Sequence, residues 1–474
     1  MPVSDRFQPE TVHTELGDAF YDLVEPARFP RHVLRYRNRR AAAGIGLDTL
    51  DDDEWIAHFG RFEALPGSLP APLALRYHGH QFRVYNADLG DGRGFLFAQC
   101  RDAGGRLLDL GTKGSGQTPW SRRADGRLTL KGGVREVLAT EMLEALGVDT
   151  SKSFSLIETG EALWRGDEPS PTRSSVLVRL SHSHIRIGTF QRLLYQDAHD
   201  DILRLVDHAV RHYLPEAGRA APADRAAAFL EAVGRRVAAT GARWMLAGFV
   251  HGVLNTDNVN ITGESFDYGP WRFAPVLDPA FTAAYFDETG LYAFGRQPDA
   301  LLWNMTRLAE CLLPLAPQAA LQRVLEGFAP EFRARFAAAM LDRLGLESAG
   351  EAADQEATGS VWRFLAQSRM PFERFFFDWR GGRESERRAL AGPSAEAYRS
   401  DAFAPVREAL AAHSPRPDAL AHPYFDREAP CTMLIDEVEA IWKPIAEGDD
   451  WSAFEEKRRD IAGMRAALAP RPPA

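Results

Sequence analysis

The sequence is short of cysteine and of positive charge. Its three cysteines, Cys100, Cys311 and Cys431, lie far apart and form no C-x-x-C pair, which argues against a disulfide framework and a cysteine metal cluster. The formal net charge is -10, whereas general nucleic-acid binding needs a basic surface that replaces the counterions around phosphates. We therefore expect no nucleic-acid partner, although a local basic pocket for one nucleotide stays open.

The sequence also lacks a long apolar run. The most apolar stretch near its middle, WMLAGFVHGVL (244–254), is far too short to span a bilayer. The first residues, MPVSDRFQPETVHTEL, have no cationic start followed by an apolar run, so no secretory signal is visible. We therefore expect a cytoplasmic protein without membrane association. Its 474 residues, 45% hydrophobic and 26% charged, allow one large two-lobed domain or two to three smaller ones.

The residue pattern changes character near Phe190. Before it, 92–102 and 106–114 alternate like neighbouring strands around a glycine-bearing turn, and 174–181 is rich in β-branched residues. Between them, 132–147 has helical spacing and ends at a glycine. This order predicts a sheet with an early helix in the first part of the chain.

After Phe190 the apolar residues recur at intervals of three and four, which is typical of helices. We expect 346–359 to be an exposed, mobile connection and 467–474 to be a disordered tail. Together the two patterns predict an α+β fold with a sheet-rich N-terminal half, a helical C-terminal half and a helical extension.

The segment 251–270, HGVLNTDNVNITGESFDYGP, resembles the active site of aminoglycoside-phosphotransferase-like kinases, H-G-D-x-x-x-x-N followed by an aspartate. Val253 stands at the position of the catalytic aspartate and cannot accept a proton. Asn258 and Asp267 each offer a side-chain oxygen, the ligand type that Mg²⁺ prefers, and Asp257 is the natural replacement base. A pair of structural surface loops, with Asp257 solvated, is the alternative.

Upstream elements follow the order found in kinases. The glycine-rich stretch 89–94, LGDGRG, lets backbone N–H groups approach phosphate oxygens, and Lys113 ends the following strand. Glu136 lies on a small, largely apolar helix face, where a buried carboxylate needs a cation such as Lys113. Glu141 and Glu144 of the same helix are expected to be solvated. Alone, the glycine stretch could be a hairpin turn and Lys113 a solvated lysine.

Two arginines, Arg179 and Arg186, are seven residues apart in RLSHSHIRIGTF. On a strand that leads into a short loop, both could point into one cleft. Guanidinium groups match phosphate oxygens well, and a standard kinase does not place such a pair here. Two surface arginines are the alternative.

Together with further motifs, these stretches resemble the SelO/YdiU family. The motifs are YHGHQF (77–82), LGDGRG, GTKGSGQTPWSR (111–122), ADGR (124–127), HIRIGTF (184–190) and HGVLNTDN…DYGP. They are highly specific and extend over about residues 10–390 of the sequence.

The resemblance implies a protein-kinase-like two-lobed fold. Its N-terminal lobe would cover 1–190, its helical C-terminal lobe 191–390, and a helical extension with the tail 391–474. It also implies transfer of AMP from ATP to Ser, Thr or Tyr hydroxyls of proteins, with release of pyrophosphate. Some bacterial members transfer UMP with manganese, so ATP or UTP as substrate and Mg²⁺ or Mn²⁺ as cofactor both stay open. The sequence leaves the oligomeric state unknown.

In this family ATP lies inverted relative to kinases, with its terminal phosphate innermost. The resemblance implies catalytic roles for Asp257 as proton acceptor and for the Lys113–Glu136 pair, and metal binding by Asn258 and Asp267. The residues expected to contact the nucleotide are Gly90, Gly92, Arg93, Lys113, Asp125, Gly126, Arg179, Arg186 and Asp267.

The chain departs from its relatives at the C-terminus. Many relatives carry a cysteine or selenocysteine close to the end, whereas the nearest cysteine here is Cys431, more than forty residues earlier. A terminal redox switch is therefore not expected, and the final helical region could serve another regulatory or partner role. Two further hypotheses remain: a kinase that uses Asp257 as its base, and a non-catalytic nucleotide-binding scaffold.

Overall fold

The computed structural model describes residues 3–166 and 168–469. Of the tail 467–474 that was predicted to be disordered, 470–474 lie outside the described residues, and the prediction is wrong for Ala467 and Leu468, which end a helix. The strands are β1 Gln8–Glu10, β2 Tyr21–Leu23, β3 Val33–Arg37, β4 Leu73–Leu75, β5 Gly79–Gln81, β6 Val84–Asn86, β7 Leu96–Arg101, β8 Leu107–Lys113, β9 Leu128–Thr129, β10 Lys152–Leu163, β11 Thr172–Ser181, β12 Phe249–Val250 and β13 Arg272–Phe273.

Helices dominate the second half of the chain. They are α1 Arg39–Gly44, α2 Asp52–Phe59, α3 Leu130–Ala145, α4 Ile187–Tyr195, α5 His199–His212, α6 Arg225–Leu246, α7 Gln297–Cys311, α8 Gln318–Leu344, α9 Glu351–Ser368, α10 Phe372–Asp378, α11 Glu386–Ala391, α12 Ala395–Arg399, α13 Ala404–Leu410, α14 Ile435–Gly448 and α15 Ser452–Leu468. The fold is α+β, as the sequence predicted. No helix within the described ranges is long and apolar enough to cross a membrane.

The main sheet has the strand order β2-β4-β7-β8-β11-β10-β3, with β1 paired to β7 and β9 paired to β11. Neighbouring strands run antiparallel. The predicted hairpin is confirmed, because β7 and β8 pair across a turn in which Gly105 has a φ of 80°. The predicted third strand is β11, which pairs with β8 on its other side.

Alternation along β11 decides which side chains face the helices. Val176 and Val178 pack in a cluster with Trp55 on one face of the sheet. Leu177 joins the core that also contains the apolar side of α3. Because side chains alternate along a strand, Arg179 lies on the same face as Leu177, towards α3.

Helix α3 is the predicted helix 132–147, but it begins and ends two residues earlier, at Leu130 and Ala145. The Thr129 hydroxyl oxygen accepts a hydrogen bond from the Gly132 backbone N–H and caps the first turn. Gly147, two residues beyond the helix, has a φ of 80°, a left-handed conformation that glycine adopts without strain. The helix is therefore fixed at both ends, which sets the height of Glu136 above the sheet.

The prediction of a mobile connection at 346–359 is wrong. Helix α9 begins at Glu351, and its Asp354 side chain accepts hydrogen bonds from the Ala349 backbone N–H at 3.0 Å and pairs with His413 at 3.0 Å. Ala357 is fully buried in the core of the helical half. Small and polar residues carry the first turns of this helix, so its sequence has little apolar periodicity to indicate it.

Candidate active site

The Lys113 side chain, at the end of β8, forms a buried ion pair with Glu136 of α3. The Nζ–Oε2 distance is 2.6 Å, and both side chains are at most 5% exposed. In the sheet register Lys113 lies opposite Leu177, on the strand face that α3 covers. The cation that the buried Glu136 was expected to need is therefore present.

Asp267 joins this pair. Its Oδ1 lies 3.1 Å from Lys113 Nζ and 3.3 Å from Arg179 Nη1, and its Oδ2 accepts a hydrogen bond of 3.0 Å from the Asn258 amide. Burial opposes ionisation of Asp267, but Lys113, Arg179 and Arg186 outweigh it and hold the pKa of this carboxyl well below its usual range. Asp267 is therefore a carboxylate in a cationic environment.

The backbone between β12 and β13 brings Asn258 and Asp267 together. Asp267 has a φ of 63°, in the left-handed region that aspartate tolerates better than most residues. Asn258 ends a short 3-10 turn over Thr256–Asn258. The two strands nearby are β12 and β13, which pair with each other and flank both residues in sequence. A turn and a strained position, and not two strands, bring the amide to the carboxylate.

Arg179 reaches the cluster from β11, beside a glycine of the neighbouring strand. Its Cα lies opposite that of Gly111 in β8. A Cβ on Gly111 would stand 2.2 Å from Nε2 of His184, so this position admits no side chain. The guanidinium of Arg179 lies 3.5 Å from Glu136 Oε1 as well as 3.3 Å from Asp267.

Arg186 enters from the start of α4. It donates hydrogen bonds of 3.1 Å to the backbone carbonyl of Asp257 and 3.1 Å to Oδ1 of Asp91, and it stacks 4.3 Å from the Tyr77 ring centroid. Arg179 and Arg186 both lie over the Phe266 ring, at 5.9 Å and 5.2 Å from its centroid. The two arginines therefore converge on one place and are both buried, which excludes the alternative of two surface arginines.

Asp257 is buried and keeps one carboxylate oxygen free. Oδ1 of Asp257 and Oδ1 of Asn258 have no hydrogen-bond partner among the described residues. Burial raises the pKa of Asp257 to about 6, and the negative charge of Asp267 adds to this while Arg186 opposes it. Two acceptor atoms are thus available to a group that is not part of the chain.

Two residues that were not predicted from the sequence support this site. Asp91, within the glycine-rich stretch, pairs with Arg186, and its Oδ2 accepts from the Leu75 backbone N–H at 3.1 Å. Tyr77 stacks on the same guanidinium. Both occur in the quoted motifs LGDGRG and YHGHQF, so the motifs indicated their importance but not their contacts.

The YHGHQF motif holds the segment that carries Asp257. The His80 backbone N–H donates to Thr256 Oγ1 at 2.8 Å, and the Phe82 backbone N–H donates to Asn255 Oδ1 at 3.0 Å. A Cβ on Gly79 would lie 2.9 Å from Thr256 Oγ1, so glycine permits the close approach. Asp257 is thereby fixed by a strand that lies far from it in sequence.

The glycine-rich stretch packs against the segment that follows β8. A Cβ on Gly90 would lie 2.4 Å from the Trp120 ring, and a Cβ on Gly92 would lie 2.8 Å from the Trp120 carbonyl. The Gly114 backbone N–H donates to the carbonyl of Arg93 at 2.7 Å, while the Arg93 side chain is exposed. The stretch therefore runs beside Lys113 and positions Asp91 for its ion pair with Arg186.

Asp125 and Gly126 are not drawn into this cluster. The Asp125 side chain is 46% exposed and pairs with Arg165 at 2.8 Å. Gly126 has a φ of 68°, and its carbonyl accepts from the Gly116 backbone N–H at 3.2 Å. Their predicted contact with a nucleotide stays a prediction, since it depends on a ligand that reaches this edge of the site.

The donor set fits a hard divalent cation. Asp267 is ionised, and Asn258 has a buried amide oxygen without a partner in the described part of the chain. Oxygen atoms of this kind are the ligands that Mg²⁺ and Mn²⁺ use beside phosphate and water. The Asn258–Asp267 hydrogen bond already brings the two side chains together.

Comparison with known proteins defines the class of this protein. A Synechocystis relative named protein nucleotidyltransferase YdiU is 45% identical over 460 residues, and the match covers 93% of this chain and 95% of the relative. A Gloeobacter violaceus relative of the same name is 46% identical over 460 residues, and the match covers 94% of this chain and 93% of the relative. A relative of the same name in Vibrio vulnificus is 36% identical over 365 residues, covering 77% and 73%. The chain is therefore an enzyme of the nucleotidyltransferase class.

The family itself follows from a second match. The sequence profile described as protein adenylyltransferase SelO matches residues 4–462. The chain belongs to this family, and the resemblance found in its motifs is confirmed. The match also includes most of the region after residue 390, in which the sequence alone carried no recognisable signature of the family.

Proposed function

We propose that this protein transfers AMP from ATP to Ser, Thr or Tyr hydroxyls of proteins and releases pyrophosphate. The family and the names of the relatives support this activity. We further propose that the chain has a protein-kinase-like two-lobed arrangement, with an N-terminal lobe over 1–190, a helical lobe over 191–390 and an extension from 391. The order of glycine stretch, lysine, helical glutamate, asparagine and aspartate supports this arrangement.

The observation that carries the proposal is the convergence of Arg179 and Arg186 on the Phe266 ring. A kinase transfers the terminal phosphate and needs its positive charge there, whereas AMP transfer builds charge on departing pyrophosphate. Two guanidinium groups beside Lys113 match a group with that many phosphate oxygens. They would hold the inner end of an inverted triphosphate.

Asp257 is the proposed proton acceptor. The acceptor hydroxyl oxygen bonds to the α-phosphorus, and the bond from that phosphorus to the oxygen bridging to the β-phosphate breaks, so pyrophosphate leaves. The hydroxyl proton passes to the Asp257 carboxylate. A pKa of about 6 for Asp257 and a free Oδ1 support this role, because a general base works best with a pKa near the working pH.

Lys113 and Asp267 have complementary roles in the proposal. Lys113 contacts phosphate oxygens while Glu136, at 2.6 Å, fixes the position of its ammonium group. Asn258 and Asp267 would hold Mg²⁺ or Mn²⁺, which reduces the repulsion between the phosphates and an incoming nucleophile when bound. The remaining nucleotide contacts are proposed for Gly90, Gly92, Arg93, Asp125 and Gly126. Since Asp125 is ion-paired with Arg165, it would have to share its carboxylate between the two.

The experiment that tests the proposal follows the two ends of ATP. The chain is incubated with divalent metal, a protein mixture and ATP labelled at either the α- or the γ-phosphate. We expect the α-label on protein and the γ-label in pyrophosphate, with mass spectrometry showing an added AMP group. Asp267→Asn is the inactive control, and UTP labelled at its α-phosphate tests the second nucleotide.

Other outcomes would identify the rival activities. If protein retained the γ-label instead, the chain would be a kinase with Asp257 as base. If neither label were retained while nucleotide still raised the thermal stability, the chain would be a nucleotide-binding scaffold. Either result would overturn the proposed AMP transfer.

A further inference from the structure

Three potential metal ligands meet away from the candidate active site. His208 and His212 lie one turn apart on α5, so both point to the same side of the helix. Glu15 comes from the 3-10 turn Val12–Leu16, which precedes β2. One ligand atom from each residue lies within 4.8 Å of the other two, and His212 Nε2 is 3.6 Å from Glu15 Oε2. Histidines four residues apart on a helix are a recurrent way to bind zinc.

The histidine nitrogens in this group lack other partners. Nε2 of His208 and Nε2 of His212 are buried and make no hydrogen bond to any described residue. His208 as a whole is only 6% exposed. A buried polar atom without a partner costs free energy that a ligand would recover. A ligand that binds both imidazole nitrogens would therefore stabilise this arrangement.

One cation lies close to the group. Arg211 stands between the two histidines on α5 and acts electrostatically on both. Its positive charge would repel a metal ion, so we expect moderate affinity.

We propose that Glu15, His208 and His212 form a zinc-binding site. Two imidazole nitrogens and one carboxylate oxygen are a ligand set that Zn²⁺ uses, with a fourth position left to water. Tetrahedral coordination needs ligand atoms roughly 3.3 Å apart, so the group must contract slightly. The Glu15 side chain is 55% exposed, which leaves it room to approach both imidazoles.

The site would connect the N-terminal turn to the helical half of the chain. The turn is tied to the sheet by the His13 backbone N–H, which donates to Oε1 of Gln99 in β7 at 2.7 Å. Zinc would add a bond from the same turn to α5. Since a ligand that binds only the folded chain stabilises it, the expected role is structural. Its ligand chemistry, nitrogen with one carboxylate, differs from the oxygen ligands proposed at Asn258 and Asp267.

The test measures zinc binding to the full chain without a histidine tag, by equilibrium dialysis with metal analysis. We expect one zinc per chain in wild type and a loss of affinity of at least roughly tenfold in His212→Gln and in Glu15→Gln, because even the partners of metal ligands have effects of this size. The Glu15 side chain is 55% exposed and that of His212 11%, and circular dichroism would verify that both variants keep the fold. Co²⁺ should give the intense visible absorption of four-coordinate cobalt in wild type only.

Two matched controls separate this site from others. His199→Gln removes an exposed histidine from the first turn of the same helix and should leave zinc affinity unchanged. Asp267→Asn alters the proposed active-site cation without touching α5 and should also retain zinc. The proposal is wrong if wild type binds no zinc, or if His212→Gln binds it as tightly as wild type. Failure of AMP transfer would not affect either result.

Discussion

The two sides of helix α3 use the same residue type for different purposes. On one side, Glu136 is fully buried and bound by Lys113 at 2.6 Å, within the candidate active site. On the other side, Glu141 accepts a hydrogen bond of 2.6 Å from the Tyr36 hydroxyl and pairs with Arg465 of α15. Glu136 positions the Lys113 ammonium group within the candidate active site, whereas Glu141 binds the C-terminal helix α15.

This difference corrects one expectation from the sequence. Glu141 and Glu144 were predicted to be solvated, but Glu141 is 8% exposed, and Glu144 pairs with Lys152 at 3.4 Å and with Arg465 at 3.6 Å. One of these partners, Arg465, comes from a helix more than three hundred residues away in sequence, which no local pattern could indicate. A buried carboxylate on α3 therefore does not by itself identify the site; the cations around it do.

The largest expected effect separates the two glutamates directly. Glu136→Gln should lower the rate of AMP transfer by roughly 10²-fold or more, because Lys113 loses the partner that positions its charge at the transferring phosphate. Glu141→Gln, on the same helix, should keep the rate within about threefold, since surrounding packing holds α3 in place. Rates of α-label incorporation, with circular dichroism as the fold check, measure both. Equal loss in the two variants would mean that the whole helix, and not Glu136, serves the site.

The sequence predicted the contacts of Glu136 but not those of Glu141. Lys113, Glu136, Asn258 and Asp267 were found in order, because they stand at recognisable motif positions, and the structure links them by contacts from Glu136 to Lys113, Asp267 and Asn258 in turn. Asp91 was overlooked because its partner Arg186 is distant in sequence. Such pairings depend on tertiary packing, which composition and periodicity do not encode.

The secondary-structure elements also differ in whether the sequence predicted them. The strands β7, β8 and β11 were predicted because they are long, buried and rich in apolar or β-branched residues. Helix α9 was missed because its first turns are alanine, glutamate and aspartate, whose burial depends on neighbouring helices. Local patterns were therefore sufficient to predict the strands near the proposed nucleotide site, but they were insufficient to predict α9.

A second prediction concerns the side of α3 that faces the C-terminus. Arg465→Ala removes a guanidinium that contacts both Glu141 and Glu144, and it leaves a buried carboxylate with fewer partners. We expect the free energy of unfolding to fall by about 2 kcal/mol, the size of a hydrogen bond to a charged group. Chemical denaturation measures this loss.

Transfer activity below the unfolding transition gives the control for Arg465→Ala. It should stay within about threefold of wild type, because no contact of Arg465 reaches Lys113 or Asp267. A large loss of activity with unchanged stability would contradict the purely structural role of α15. It would indicate instead that the C-terminal helix controls the position of Glu136.

The smallest effect is expected at a more exposed ion pair between α3 and the C-terminal helices. Lys131 Nζ lies 2.7 Å from Oε2 of Glu439 in α14, but the two side chains are 23% and 46% exposed. Solvent screens such a pair, so the coupling energy from a double-mutant cycle of Lys131→Ala and Glu439→Ala should be below about 0.5 kcal/mol. The cycle of Arg465→Ala with Glu141→Gln should give at least about twice that value, since its carboxylate is buried. If the exposed pair coupled as strongly as the buried one, burial would not explain how the C-terminal helices hold α3. The two sides of α3 would then differ only in which residues pair with their glutamates.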